Sequence, residues 1–200
     1  MTTLLLVRHG PTEWTGEKRL QGQTDIDLSA EGRALTAGFA AVIETWKPQT
    51  VIASPLGRTR TTAALLSGLT PIVDERWAEA GLGEWEGQVP AEIGPDYHRW
   101  RDGSLVPPGG EKPADVTARV SAAVLAAAQH PGPVLVVTHG GTIRSVLAQF
   151  VGLTARYLEP VGAPSVTVLD VEPDGSARLR HYNVVAAQSG TQPAAQSLTG

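Results

Sequence analysis

The sequence predicts a three-layer α/β/α sandwich with a mostly parallel central sheet and an antiparallel edge. Three observations carry this. Short apolar runs alternate with amphipathic stretches of helical length, the pattern of crossovers in a parallel sheet covered on both faces. Two of the runs, Leu4–Val7 and Val134–Val137, lead into Arg8-His9-Gly10 and Thr138-His139-Gly140. A last pair of runs flanks Pro173-Asp174-Gly175, a hairpin turn signal that supplies the antiparallel edge.

Taken in order, Leu4–Val7 reads as a buried strand stopped by Arg8, His9 and Gly10. Residues 11–28 form a polar loop rich in Gly, Thr, Asp and Gln, longer than an ordinary connection and therefore expected to be functional. Ser29 is placed to cap a helix with Glu31 in its first turn. Its apolar stripe is Leu35, Phe39, Val42, Ile43 and Trp46, and Pro48 ends it. Strand Thr50–Ala53 leads through Ser54-Pro55-Leu56-Gly57-Arg58 into a second helix reaching about Leu66. Ser54 is expected to cap that helix, and Pro71–Val73 is a further brief strand.

Residues 74–112, dense in Trp, Gly and Pro, are expected to cap the sheet, with one short helix around Glu92–Trp100. A helix from Pro113 to about Gln129 presents Val116, Val120 and Val124 on one face until Pro131 and Gly132 stop it. Strand Val134–Thr138 precedes a helix from about Gly141, with Ile143, Val146, Leu147 and Phe150 facing inward and Gly152 past its end. Ser165–Asp170 and Ala177–Tyr182 complete the hairpin. Residues 1–186 thus make one domain, and 187–200, without periodicity, are expected to be a disordered tail.

Composition narrows the function classes. With no cysteine in the chain, disulfides, thiol catalysis and Cys-based zinc sites are excluded. The formal net charge of −4 argues against a nucleic-acid partner, which would call for a basic face. An anionic ligand must then be drawn in by local arginines. No run of eighteen apolar residues suggests a membrane span, and no basic n-region precedes a cleavage signature. A cytoplasmic protein is expected. No heptad or exposed apolar repeat marks a subunit interface.

In an open α/β sheet, side chains at the carboxyl ends of strands reach the crevice where ligands bind. Arg8-His9-Gly10, Ser54 with Arg58 one turn on, and His139-Gly140-Gly141 all begin where a predicted parallel strand ends. Arginine forks, histidines and the amino end of the Gly141 helix together make an oxyanion cradle. Such a cradle suits phosphoryl transfer, where catalysis is mostly positioning and charge stabilisation.

Five ordered segments make a specific pattern. They are Leu-Val-Arg-His-Gly ending at Gly10, Ser54 to Arg58, Glu79 ahead of Gly83-Glu84-Trp85-Glu86-Gly87, Pro108-Gly109-Gly110-Glu111, and Val137-Thr138-His139-Gly140-Gly141. In this order and over roughly residues 4–171, the chain resembles the phosphoglycerate mutase-like branch of the histidine phosphatase superfamily. The resemblance implies that His9 attacks phosphorus and becomes phosphohistidine. Arg8, Arg58 and His139 would hold the phosphoryl oxygens. Glu79 would protonate the leaving oxygen and later activate water, and a bound dianion favours its protonated form by like-charge repulsion. Spacing to Gly83 selects Glu79 over Glu75, Glu84 and Glu86. No cofactor and no metal are implied, and the partner is a small phosphorylated metabolite.

Departures accompany the match. Pro11 stands where the family has Glu, and Thr15 where it has a phosphate-contacting Asn. Lys112 stands where Ser is common and carries no assigned function. Thr15, Gln21, Gly22 and Gly140 are candidate substrate contacts. Arg60 and Arg76 read as surface or rim charges, Trp85 and Trp100 as packing, and His98, His130 and His181 as structural or exposed.

The implied activity is hydrolysis of small phosphomonoesters. Mutase-type transfer is the first alternative, but mutases of the family carry Glu-Arg-His-Tyr-Gly where this chain has Glu79-Ala80-Gly81-Leu82-Gly83. They also carry a more basic cap, whereas residues 84–112 hold only Arg99, Arg101 and Lys112. A catalytically silent phosphate-binding protein is the second alternative, countered by the presence of Arg8, His9, Arg58, Glu79 and His139 together.

Overall fold

The computed structural model describes residues 1–186, so the expected tail at 187–200 lies outside the described residues. Six strands form one sheet: β1 (Thr2–Arg8), β2 (Thr50–Ala53), β3 (Ile72–Val73), β4 (Val134–Thr138), β5 (Ser165–Val171) and β6 (Ala177–Val184). Their order is β3-β2-β4-β1-β5-β6. The first four run parallel, and β5 and β6 add the antiparallel edge. Parallel register sets Arg8 opposite Thr138 and Ala53 opposite Val137, so the residues that follow β1, β2 and β4 emerge along one edge.

Alternate residues of a strand face opposite sides of a sheet, and here both sides are covered. Leu4 and Leu6, with Val134 and Val136, pack under Val120 and Val124 of α6 (Pro113–Ala127) and Ile143 and Leu147 of α7 (Gly140–Val151). Leu5 and Val7, with Leu135 and Val137, pack against Phe39 and Ile43 of α2 (Ala30–Glu44) and Leu66 of α3 (Gly57–Ser67). That is the three-layer sandwich with its parallel sheet and antiparallel edge. No helix among the described residues is long and apolar enough to cross a membrane.

Several elements depart from the sequence reading. The 11–28 loop contains a helical turn, α1 (Glu13–Gly16), capped by Thr12, and is pinned by a bridge between Thr12 and Leu28. Leu35 is 49% exposed, because the buried stripe of α2 is Gly32, Thr36, Phe39 and Ile43. Thr36 faces in because its hydroxyl donates to the Gly32 carbonyl at 2.7 Å, and a Cβ on Gly10 would strike that hydroxyl. The helix expected over Glu92–Trp100 is two, α4 (Pro90–Ile93) and α5 (Pro95–Arg101). Gly94, at φ 70°, separates them, since the residue before proline is barred from the helical region. In place of Ser54, the Asp25 carboxylate caps α3, accepting from the Gly57 amide at 2.7 Å.

Candidate active site

β1 and β4 deliver their histidines side by side, with ring centroids 5.2 Å apart and an interplanar angle of 62°. His9 is buried, and Gly10 behind it lets α2 and α3 close in, the Gly10 amide donating to Thr62 Oγ1 at 3.0 Å. The Gly10 carbonyl lies 2.7 Å from His9 Nδ1. A carbonyl only accepts, so the proton sits on Nδ1 and Nε2 keeps its lone pair. Burial, with Arg58 and Arg8 nearby, holds the His9 pKa well below 6.5 against the opposing bond to Gly10. The ring is therefore neutral and nucleophilic at neutral pH.

His139 is buried behind His9, its pKa also held well below 6.5 by burial and then by His9, Arg58 and Arg8. Its Nε2 lies 2.8 Å from the Ser54 hydroxyl, which itself accepts from the Leu56 amide at 3.3 Å. With Ser54 donating to Nε2, Nδ1 carries the proton, and it has no partner.

The two arginines are locked by main-chain carbonyls. Arg8 Nη1 donates to Val161 at 2.5 Å. Arg58 donates to Thr24 at 2.8 Å and Gly22 at 2.7 Å. Both Nε–H groups are buried without a partner. The loop that holds Arg58 is itself held by Glu86, which accepts from the amides of Gln23, Thr24 and Leu82. Burial alone would raise the Glu86 pKa, but the Thr24 hydroxyl, which also donates to this carboxyl, and these amides outweigh it and keep the carboxyl low.

Glu79 occupies the amino end of α7. Its Oε2 accepts from the Gly141 amide at 2.9 Å, and Oε1 from the amides of Thr142 at 3.0 Å and Ala80 at 3.1 Å. The Glu79 backbone is fixed by Arg119, which donates to the carbonyls of Arg76, Ala78 and Glu79 while its fork grips Glu111 at 2.7 and 2.8 Å. This corrects the expected cradle: the helix begins at Gly140, and its amides at Gly141 and Thr142 hold a carboxyl of the chain instead of standing open.

Arg8, His9, Arg58, Glu79, Gln21, Gly22 and Gly140 line one cavity of ≈ 200 Å³. Thr15 is not among its lining residues; its hydroxyl accepts from Gln21 Nε2 at 3.0 Å and so sits behind that side chain. Sequence reasoning missed Arg144 and Val161 in the wall, and Trp100, read as packing, lines it together with Tyr97 of the 74–112 segment. For Arg144 the signal existed: it follows Gly140 by four residues and so shares its helix face. Arg144 lies on α7, outside the 84–112 segment in which basic residues were counted.

A family model described as histidine phosphatase superfamily (branch 1) matches residues 4–185. The chain belongs to that superfamily. Among histidine phosphatases of known name, it is 35% identical over 177 residues to the glucosyl-3-phosphoglycerate phosphatase of Mycobacterium tuberculosis, covering 80% of this chain and 79% of that one. It is 32% identical over 168 residues to the probable phosphoglycerate mutase GpmB of an Enterobacter species, covering 78% and 77%. Among solved structures, a mycobacterial glucosyl-3-phosphoglycerate phosphatase complexed with VO3 superposes with a TM-score of 0.83 at 33% identity, covering 92% of this chain and all (100%) of that one. A phosphoserine phosphatase mutant from Entamoeba histolytica, in complex with phosphoserine, superposes with a TM-score of 0.81 at 25% identity, covering 92% and 97%.

Proposed function

We propose that this protein hydrolyses small phosphomonoesters through a phosphohistidine on His9. The observation that carries the reading is a set of three buried, partnerless groups around that ring: Arg8 Nε, Arg58 Nε and His139 Nδ1. Leaving such groups unpaired is costly, and a phosphoryl group, with three oxygens and a negative charge, would satisfy all three.

His9 Nε2 attacks phosphorus, and the bond to the leaving oxygen breaks as the nitrogen–phosphorus bond forms. Arg8, Arg58 and His139 bind the oxygens as charge spreads over them. Glu79, which takes up a proton from solvent as the phosphoryl dianion binds beside it, gives that proton to the leaving oxygen. Glu79 then takes a proton from water, whose oxygen displaces His9, releasing inorganic phosphate and restoring the neutral ring. Every charge the step needs is supplied by side chains of this chain, and activity is expected to survive excess chelator.

Residues 74–112 act as the cap in this reading, with Tyr97 and Trp100 walling the leaving-group side. The protein works in the cytoplasm on a small phosphorylated metabolite. The named relatives that act on glucosyl-3-phosphoglycerate and on phosphoserine support a leaving group of that size.

The test is release of inorganic phosphate from a panel of phosphomonoesters that includes 3-phosphoglycerate and its 2-isomer, with products resolved. Phosphate release without isomerisation is expected. Isomerisation with little release would make the protein a mutase, and no turnover of any member would favour a silent binder.

A further inference from the structure

The phosphoryl centre accounts for Arg8, Arg58, His9, His139 and Glu79, but not for Arg144. This residue lies on α7 one turn beyond Gly140, is half-buried, and lines the same cavity as His9. It also lines the neighbouring cavity of ≈ 270 Å³, with which the first shares Ala80, Trp100 and Gly141 as wall. Arg144 therefore stands at the junction of the two.

Among the described residues Arg144 forms no ion pair, whereas of the other arginines lining the first cavity Arg19 is paired with Glu17 and Arg8 and Arg58 are held by main-chain carbonyls. It is close enough to Arg8 to lower that residue's pKa further, beyond the larger effects of burial and the opposing Glu79. A half-buried cation beside a second cation, in no ion pair with a carboxylate of the described residues, has its guanidinium fork unanswered. It is well placed to meet an anion that arrives with the substrate.

We infer that Arg144 reads a carboxylate on the leaving group, making the protein selective for phosphate esters of hydroxy acids. This rests on the phosphatase reading above. The charge count decides the kind of anion. The phosphoryl position is served by two arginines and a histidine, whereas the second position has one guanidinium, matched in charge and in fork geometry to a single carboxylate. Tyr97 and Trp100 on the same wall would cover the carbon skeleton between the two anions, and the second cavity leaves room for a larger substituent on it.

The test compares kcat/KM for 3-phosphoglycerate and glycerol 3-phosphate, which differ by a carboxylate against a hydroxymethyl group, with p-nitrophenyl phosphate as a monitor of the chemistry. The wild-type protein is expected to prefer 3-phosphoglycerate by roughly tenfold to a hundredfold, the range of a charge-assisted hydrogen bond. Arg144→Gln should bring that ratio close to one, and Arg144→Lys should keep part of it. A wild-type ratio near one overturns the inference, as does a ratio that Arg144→Gln leaves unchanged. A preference for fructose 1,6-bisphosphate over 3-phosphoglycerate that Arg144→Gln abolishes would replace carboxylate by phosphate and overturn it too. No hydrolysis of any ester, p-nitrophenyl phosphate included, would overturn the phosphatase reading itself.

Discussion

The Ser54 hydroxyl and His139 Nε2 lie 2.8 Å apart, both fully buried, and with the hydroxyl as donor the proton of His139 sits on Nδ1. Ser54→Ala removes the donor that leaves the proton on Nδ1. The expected result is a fall in kcat of about tenfold or more, since the imidazole is free to take the wrong tautomer, with KM changed less. Steady-state kinetics on a good phosphomonoester checks this; unchanged kcat would mean that His139 is oriented by other contacts.

Glu79→Gln should separate substrates by leaving group. Alkyl phosphates, which need a proton on the departing oxygen, should lose about 10²–10⁴-fold, and aryl phosphates far less. Equal losses would assign the acid to another group. Gly141→Ala probes the same carboxyl from the helix side. A Cβ there would sit 2.5 Å from Glu79 Oε1, the end of a side chain that can swing away. The variant should fold with near-normal stability yet show the alkyl-specific loss.

Arg119→Met should cost stability as well as activity. It strips Glu111 of its partner in a mostly buried pair, with side chains 19% and 22% exposed, and leaves the carbonyls of Arg76, Ala78 and Glu79 without that donor. Breaking one side of such a pair costs about 3 kcal/mol. Denaturant unfolding measures it, and a change below about 1 kcal/mol would mean the pair is fully replaced by water.

How much of this was legible in the sequence depends on where each residue's partner lies. Arg8, His9 and His139 could be found because a strand end announces them and the sheet edge gathers them. Ser54 was misread because its partner, His139, is 85 residues away, while a capping role is a local inference. In the stripe of α2, Phe39 and Ile43 are where the sequence put them, and only Leu35 was taken for the inward-facing residue, because Thr36 is polar. Its burial depends on the close approach of Gly10, which hydrophobic periodicity does not encode. Glu86 stood in the sequence only as a competitor of Glu79, since the three amides that hold it come from two separate loops. Arg144 was within reach by helical spacing alone, four residues beyond Gly140 on α7.

Stability should fall on mild acidification. His9 and His139 titrate near 6.5 in the unfolded chain and well below it in the folded protein. Below pH 6.5 the unfolded state therefore binds more protons, and the folded state loses ground as pH drops. Each histidine contributes at most about 1.4 kcal/mol per pH unit. Glu86 and Glu111, held low in the fold, add their effect only below about 4.5, their ordinary value. Denaturant midpoints between about pH 7 and pH 5 should decline, and His139→Gln should reduce the slope by about half. A flat profile would contradict neutral burial of the pair.

The central claim is that His9 carries the phosphoryl group between leaving group and water. Rapid mixing with a turned-over phosphomonoester, alkaline quenching to preserve phosphoramidates, and peptide mass spectrometry test it most directly. The expected result is a phosphoryl group on His9 of the wild-type protein, accumulating within the first turnover and absent from His9→Ala, which should also lose turnover. Undiminished hydrolysis by His9→Ala, or a phosphoryl group found on any other residue, would contradict the account.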